Sequence, residues 1–114
     1  MWTYRARLIK VVDGDTVDLS VDLGFGVSKV ERVRLAGLNT PEMNAGGTDA
    51  KLWVSIWFAD HTRLADSDWP YQVRTQKALP RDKYGRWVGD IWFGDSHLNA
   101  ALLESGLAVP YPPR

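Results

Sequence analysis

The chain has no cysteine, which removes two classes of protein at once. Neither a disulfide framework nor a thiolate metal site can be built from it. It also lacks net charge, because 14 Lys and Arg offset 14 Asp and Glu. That balance argues against a protein that coats long nucleic acid through charge alone. Long apolar runs are missing too. No segment approaches the roughly 20 apolar residues that span a bilayer, so no membrane partner is expected. The N-terminus alternates from Trp2 onward with nothing of signal-peptide kind. Read as given, that predicts a cytoplasmic monomer, with export left open.

What is present is an ordinary globular composition of 45% hydrophobic and 25% charged residues over 114 positions, enough for one domain with a real core. The charges are uneven. Residues 71–86 hold Arg74, Lys77, Arg81, Lys83 and Arg86 against Asp82 alone, and the first twelve residues hold Arg5, Arg7 and Lys10 with no acid.

Residues 2–12 are rich in aromatic and β-branched types and predict a strand. Asp13-Gly14 is a hairpin signal. From Thr16 to Leu23, Val17, Leu19, Val21 and Leu23 alternate with polar residues, and a third strand is predicted over 27–38. After the flexible loop 44–47, Thr48 or Asp49 is expected to cap a helix running to about Ala65. Leu52, Ile56 and Ala59 would form its buried stripe, with Trp53 and Trp57 beside it and His61 facing solvent. A short strand is predicted over 71–76, a polar loop over 79–85 and a fifth strand over 86–93. Gly94-Asp95-Ser96 then reads as the cap of a second helix from His97 to Glu104 that ends at Gly106, with His97 structural. The proline-rich tail from Val109 cannot be helical. This order is α+β and mainly β. Five short alternating strands would close as a Greek-key OB-fold barrel, although a curved open sheet fits the order as well.

One stretch concentrates chemistry. Arg34-Leu35-Ala36-Gly37-Leu38-Asn39-Thr40-Pro41-Glu42 starts as a strand and ends as a polar turn, since Pro41 has no N–H for a ladder. It supplies a guanidinium, an amide oxygen, a hydroxyl and a carboxylate. Cleavage of a phosphodiester by water needs positive charge aimed at the non-bridging oxygens and a base for the water. Arg34 and Arg86 suit the first task, because the guanidinium fork binds two phosphate oxygens and stays charged. Glu42 suits the second. Asp15 is a hard oxygen ligand for Ca²⁺ or Mg²⁺, with Asn39 and the Thr40 carbonyl as further oxygens. Singly, each has a plain structural reading: a tight turn, a strand-edge arginine, a surface salt bridge. Together, on loops, they point to an enzyme. The alternative is a catalytically weak or inactive OB module that binds nucleic acid or protein, which would have no use for a base beside two arginines.

Four blocks of this sequence resemble the staphylococcal nuclease (thermonuclease) family, in its order and with similar spacing. They are Val12-Asp13-Gly14-Asp15-Thr16-Val17, the Arg34–Glu42 stretch, Asp82-Lys83-Tyr84-Gly85-Arg86, and residues 99–108. The resemblance implies a five-stranded OB barrel with two helices, and Ca²⁺-dependent cleavage of DNA or RNA to 3′-phosphate ends, with Mg²⁺ the less expected metal. It implies Asp15 and the Thr40 carbonyl as calcium ligands, with Asn39 standing where the family has an aspartate ligand. Glu42 would be the general base, and Arg34 and Arg86 the phosphate-binding pair. Lys83, Tyr84 and Tyr111 would contact substrate, and Asp13 would support the metal site from behind. The family's third, C-terminal helix has no counterpart after Tyr111.

Overall fold

The computed structural model describes residues 2–75 and 85–112. Strands β1 (Trp2–Asp13), β2 (Thr16–Gly24) and β3 (Val27–Leu35) form the predicted antiparallel meander, followed by a two-residue strand β4 (Leu38–Asn39). Helix α1 (Gly47–Arg63) leads to β5 (Tyr71–Thr75). Then come β6 (Trp87–Phe93), the short β7 (Ser96–His97), helix α2 (Leu98–Glu104) and β8 (Val109–Pro110).

The main sheet runs β3-β2-β1-β5-β6, and β6 then returns to pair in parallel with β3, Arg34 opposite Val88 and Leu35 opposite Gly89. The sheet is therefore a closed barrel of five strands, the α+β OB-fold. Closure removes the exposed edges that an open sheet of this length would offer. Strand β1 makes closure possible by pairing with β5 through its first half and with β2 through its second. Register shifts between Leu8 and Lys10 and between Val11 and Asp13 bend it between these partners. Inside lie Ala6, Val17, Leu19, Val33, Leu35, Tyr71, Val73 and Ile91. Val54, Trp57 and Phe58 of α1 cap one side, with Leu98 and Leu102 of α2.

Several elements differ from expectation. Strand β3 ends at Leu35 because Gly37, at φ +79°, turns the chain before Leu38 and Asn39 resume as β4. Helix α1 begins earlier, at Gly47, behind Gly46 at φ +98°, and has no side-chain cap; the Thr48 hydroxyl donates to the Met43 carbonyl instead. Its buried face is Ala50, Val54, Trp57 and Phe58, while Leu52 and Ile56 are 59% and 51% exposed and Ala59 is exposed too. The helix ends at Arg63. His61 does not face solvent but lies half-buried, its ring 4.1 Å from that of Trp57 and 5.1 Å from that of Phe93. Gly94-Asp95 turns β6 into β7 and is no helix cap, so α2 starts at Leu98. His97 is structural as expected, stacked on Trp92 and hydrogen-bonded to Asp90 at 2.8 Å.

Candidate active site

The site is assembled where the β1–β2 turn meets the end of β3. The Asp15 amide donates to Asp13 Oδ1 at 3.0 Å, an Asx turn that tightens the hairpin. The Asp15 carbonyl accepts from the Leu35 amide at 2.8 Å, which stitches the turn to the last residue of β3. Because Thr16 and Arg34 are paired across β2 and β3, Arg34 emerges beside Asp15 by register alone. Gly14 is forced by packing: a Cβ there would lie 2.6 Å from Ala50 Cβ of α1 and 2.9 Å from Thr40 Oγ1.

The carboxylate of Asp15 is the hub. Thr16 Oγ1 donates to its Oδ1 at 3.1 Å, and the Thr40 amide approaches Oδ2 at 3.4 Å. Arg34 Nη2 stands 3.9 Å from Oδ2, donates to Asn39 Oδ1, and its Nη1 donates to the Leu35 carbonyl at 3.3 Å. Arg86, the residue before β6, reaches Thr16 Oγ1 through Nη1 at 3.4 Å, so one hydroxyl links the second arginine to Asp15. Burial pushes the pKa of Asp13 up, and the neighbouring Asp15 pushes it further. Burial acts the same way on Asp15, but hydrogen bonds from Asp13, Thr16 and the Thr40 amide, with the charge of Arg34, outweigh it and hold Asp15 below its ordinary value. Of the two, Asp15 is therefore the one that gives up its proton more readily.

Glu42 approaches from the other side. Its carbonyl accepts from the amides of Ala45 and Gly47 at 2.8 and 2.9 Å, which fixes the backbone of the turn after Pro41. Its carboxylate is exposed and takes no hydrogen bond among the described residues. A cleft of about 370 Å³ gathers these groups. Asp13, Asp15, Arg34, Asn39, Thr40, Glu42 and Arg86 all line it, with Pro41 and Met43 completing the wall. Tyr111 is not in the lining but sits over the Arg34 guanidinium, 5.4 Å from Cζ to ring centroid. Lys83 and Tyr84 lie outside the described residues.

The donors brought to the cleft are hard oxygens, the class that Ca²⁺ and Mg²⁺ take. No three Asp, Glu or His side chains among the described residues come together as a metal cage. Donors of this class suit a hard cation over a soft one.

One supporting residue had no signal of its own. Asn99, buried in α2, accepts from the Ile91 amide at 3.1 Å and donates to the carbonyls of Ala36 and Gly89 at 3.0 and 3.2 Å. It thereby fixes the turn that follows Arg34. Only its place at the head of the last block of resemblance marks it in the sequence.

A family model described as staphylococcal nuclease homologue matches residues 32–113. The thermonuclease of Staphylococcus intermedius is 32% identical over 106 residues, which is 91% of this chain and 59% of the relative. The micrococcal nuclease of Shigella flexneri is 30% identical over 119 residues, 95% of this chain and 59% of the relative. The thermonuclease of Staphylococcus hyicus is 28% identical, covering 93% and 57%. The chain thus spans somewhat under three-fifths of the length of these curated relatives. With a match over most of its length and all of its cleft except Asp13 and Asp15 inside that match, the chain belongs to the staphylococcal nuclease homologue family.

Proposed function

We propose that this protein is a metal-dependent nuclease that hydrolyses phosphodiester bonds of DNA or RNA and leaves 3′-phosphate ends. The observation that carries the reading is one cleft holding two arginines, a charged Asp15 and a Glu42 carboxylate with no partner among the described residues. The names of the relatives, thermonuclease and micrococcal nuclease, support it.

In this reading Arg34 and Arg86 bind the non-bridging oxygens of the scissile phosphate and offset the charge that grows there. Glu42 takes the proton of the attacking water, for which an exposed carboxylate with no partner among the described residues is suited. Asp15, the Thr40 carbonyl and Asn39 would hold Ca²⁺, or less favourably Mg²⁺, with Asp13 steadying Asp15. When bound, the cation supplies Lewis-acid polarisation of the phosphate. Lys83 and Tyr84 would contact the nucleotide beyond the scissile bond.

The test is cleavage of labelled single-stranded DNA and RNA with Ca²⁺, Mg²⁺ or EDTA, by the parent and by Glu42→Gln. Metal-dependent cleavage that falls about 10²–10⁴-fold in Glu42→Gln, with oligonucleotide affinity little changed, is the expected result. Cleavage absent in every metal, with oligonucleotide still bound, would instead make the chain a binding module.

A further inference from the structure

We infer that Tyr111 is a positioning residue for Arg34, held in place by the β4–β8 ribbon; the inference rests on the nuclease reading for its effect on turnover. An arginine side chain has four rotatable bonds, and its fork is useful to a phosphate only if its plane is set beforehand. Arg34 leaves β3 one residue before the strand ends, and its side chain is only 14% exposed. The Leu35 carbonyl, Asn39 Oδ1 and Asp15 Oδ2 hold the edge of the fork. The Tyr111 ring covers its face, at a distance where cation–π attraction operates.

The edge and face contacts come from one device. Strand β8 pairs antiparallel with β4, Leu38 opposite Pro110 and Asn39 opposite Val109, and the Tyr111 amide donates to the Gly37 carbonyl at 2.9 Å. Asn39 on one strand and Tyr111 just beyond the other are thereby fixed relative to each other, and Arg34 lies against both. Tyr111 itself is 51% exposed, so its ring is not there to fill the core. Its one aromatic or cation contact among the described residues is with Arg34.

Two measurements test this. In the parent, NMR should show ring-current-shifted Arg34 side-chain signals and Overhauser contacts from them to the Tyr111 ring, a readout that needs neither a variant nor activity. In kinetics, Tyr111→Leu should lower kcat roughly three- to ten-fold with KM within about two-fold, as expected when a preset group loses a weak constraint. Tyr111→Phe, which keeps the ring, should recover most of that loss, and Tyr111→Leu should have no further effect in an Arg34→Ala background. Unshifted Arg34 signals without contacts to the ring would overturn the inference, whatever the kinetics. So would a Tyr111→Leu effect that persists in Arg34→Ala or appears as raised KM, because the ring would then be touching substrate. If the parent cleaves nothing, the nuclease reading fails and the Arg34 signals alone decide whether the positioning contact stands.

Discussion

Gly14 shows how a single position can be identified correctly for an incomplete reason. Asp13-Gly14 marks a hairpin turn, and the turn is there, but the glycine is required by what presses on it. A methyl group would collide with Ala50 Cβ at 2.6 Å and with Thr40 Oγ1 at 2.9 Å. The first is a backbone-bound carbon on a helix, so it cannot swing aside. Gly14→Ala must therefore part α1 from the hairpin, at a cost of about 1–3 kcal/mol typical of overpacking. Because Thr40 is one of the two groups pushed, cleavage should fall along with stability. Urea unfolding and kcat on the same preparation check this, and a variant as stable as the parent would show that α1 does not pack against the turn. The roles of Asp13 and Asp15 differ for a similar local reason. Two carboxylates stand two residues apart, and the one facing Arg34 and the Thr40 amide has its pKa lowered while the other's is raised.

At the scale of elements, β2 was legible from its alternation and β1 from its aromatic and β-branched content. The helix was legible as a helix, but its buried face was not. Leu52, Ile56 and Ala59 make an apolar stripe as regular as Ala50, Val54, Trp57 and Phe58, and hydrophobicity does not choose between two stripes. The aromatic cluster chooses: Phe58 and Trp57 meet Tyr71 of β5 at 4.9 and 5.9 Å between ring centroids. Tyr71 also joins helix to barrel through its hydroxyl, which donates to the Phe58 carbonyl at 2.9 Å and bonds Thr62. Asn99 and the β4–β8 ribbon were illegible for another reason, since their partners are backbone groups distant in sequence and leave no periodic trace. Burial raises the pKa of Tyr71 above its ordinary 10.0, with only partial opposition from the Thr62 hydrogen bond. The unfolded chain ionises near the ordinary value while the folded one does not. The contribution to stability is thus complete below about pH 10 and is lost as pH rises from there through the folded pKa. Tyr71→Phe should cost about 1 kcal/mol at neutral pH and flatten the decline of melting temperature above pH 10. Equal alkaline slopes in the two proteins would show that Tyr71 is not the group responsible.

For the whole molecule, the decisive quantity is the absence of net charge, with cations densest over residues 71–86. Binding to nucleic acid must then rest on few phosphates, and salt dependence counts them. On single strands, log K falls with log salt by about 0.7 for each phosphate neutralised. If Arg34 and Arg86 carry the binding through the one scissile phosphate they share, the slope should be about −0.7. The segment between β5 and β6 holds Lys77, Arg81 and Lys83. Engagement of all three as well, one phosphate each, would steepen the slope to about −2.8. The family resemblance assigns only Lys83 of these to substrate, so a slope of about −1.4 is expected. The measurement is anisotropy of a labelled oligonucleotide with Glu42→Gln, which should bind without cutting, across a range of KCl at fixed Ca²⁺. A slope as steep as about −2.8 or beyond would mean that substrate runs along the whole basic segment and that the cleft is only its end. A slope indistinguishable from zero would remove both arginines from phosphate binding, and with them the basis of the proposed chemistry.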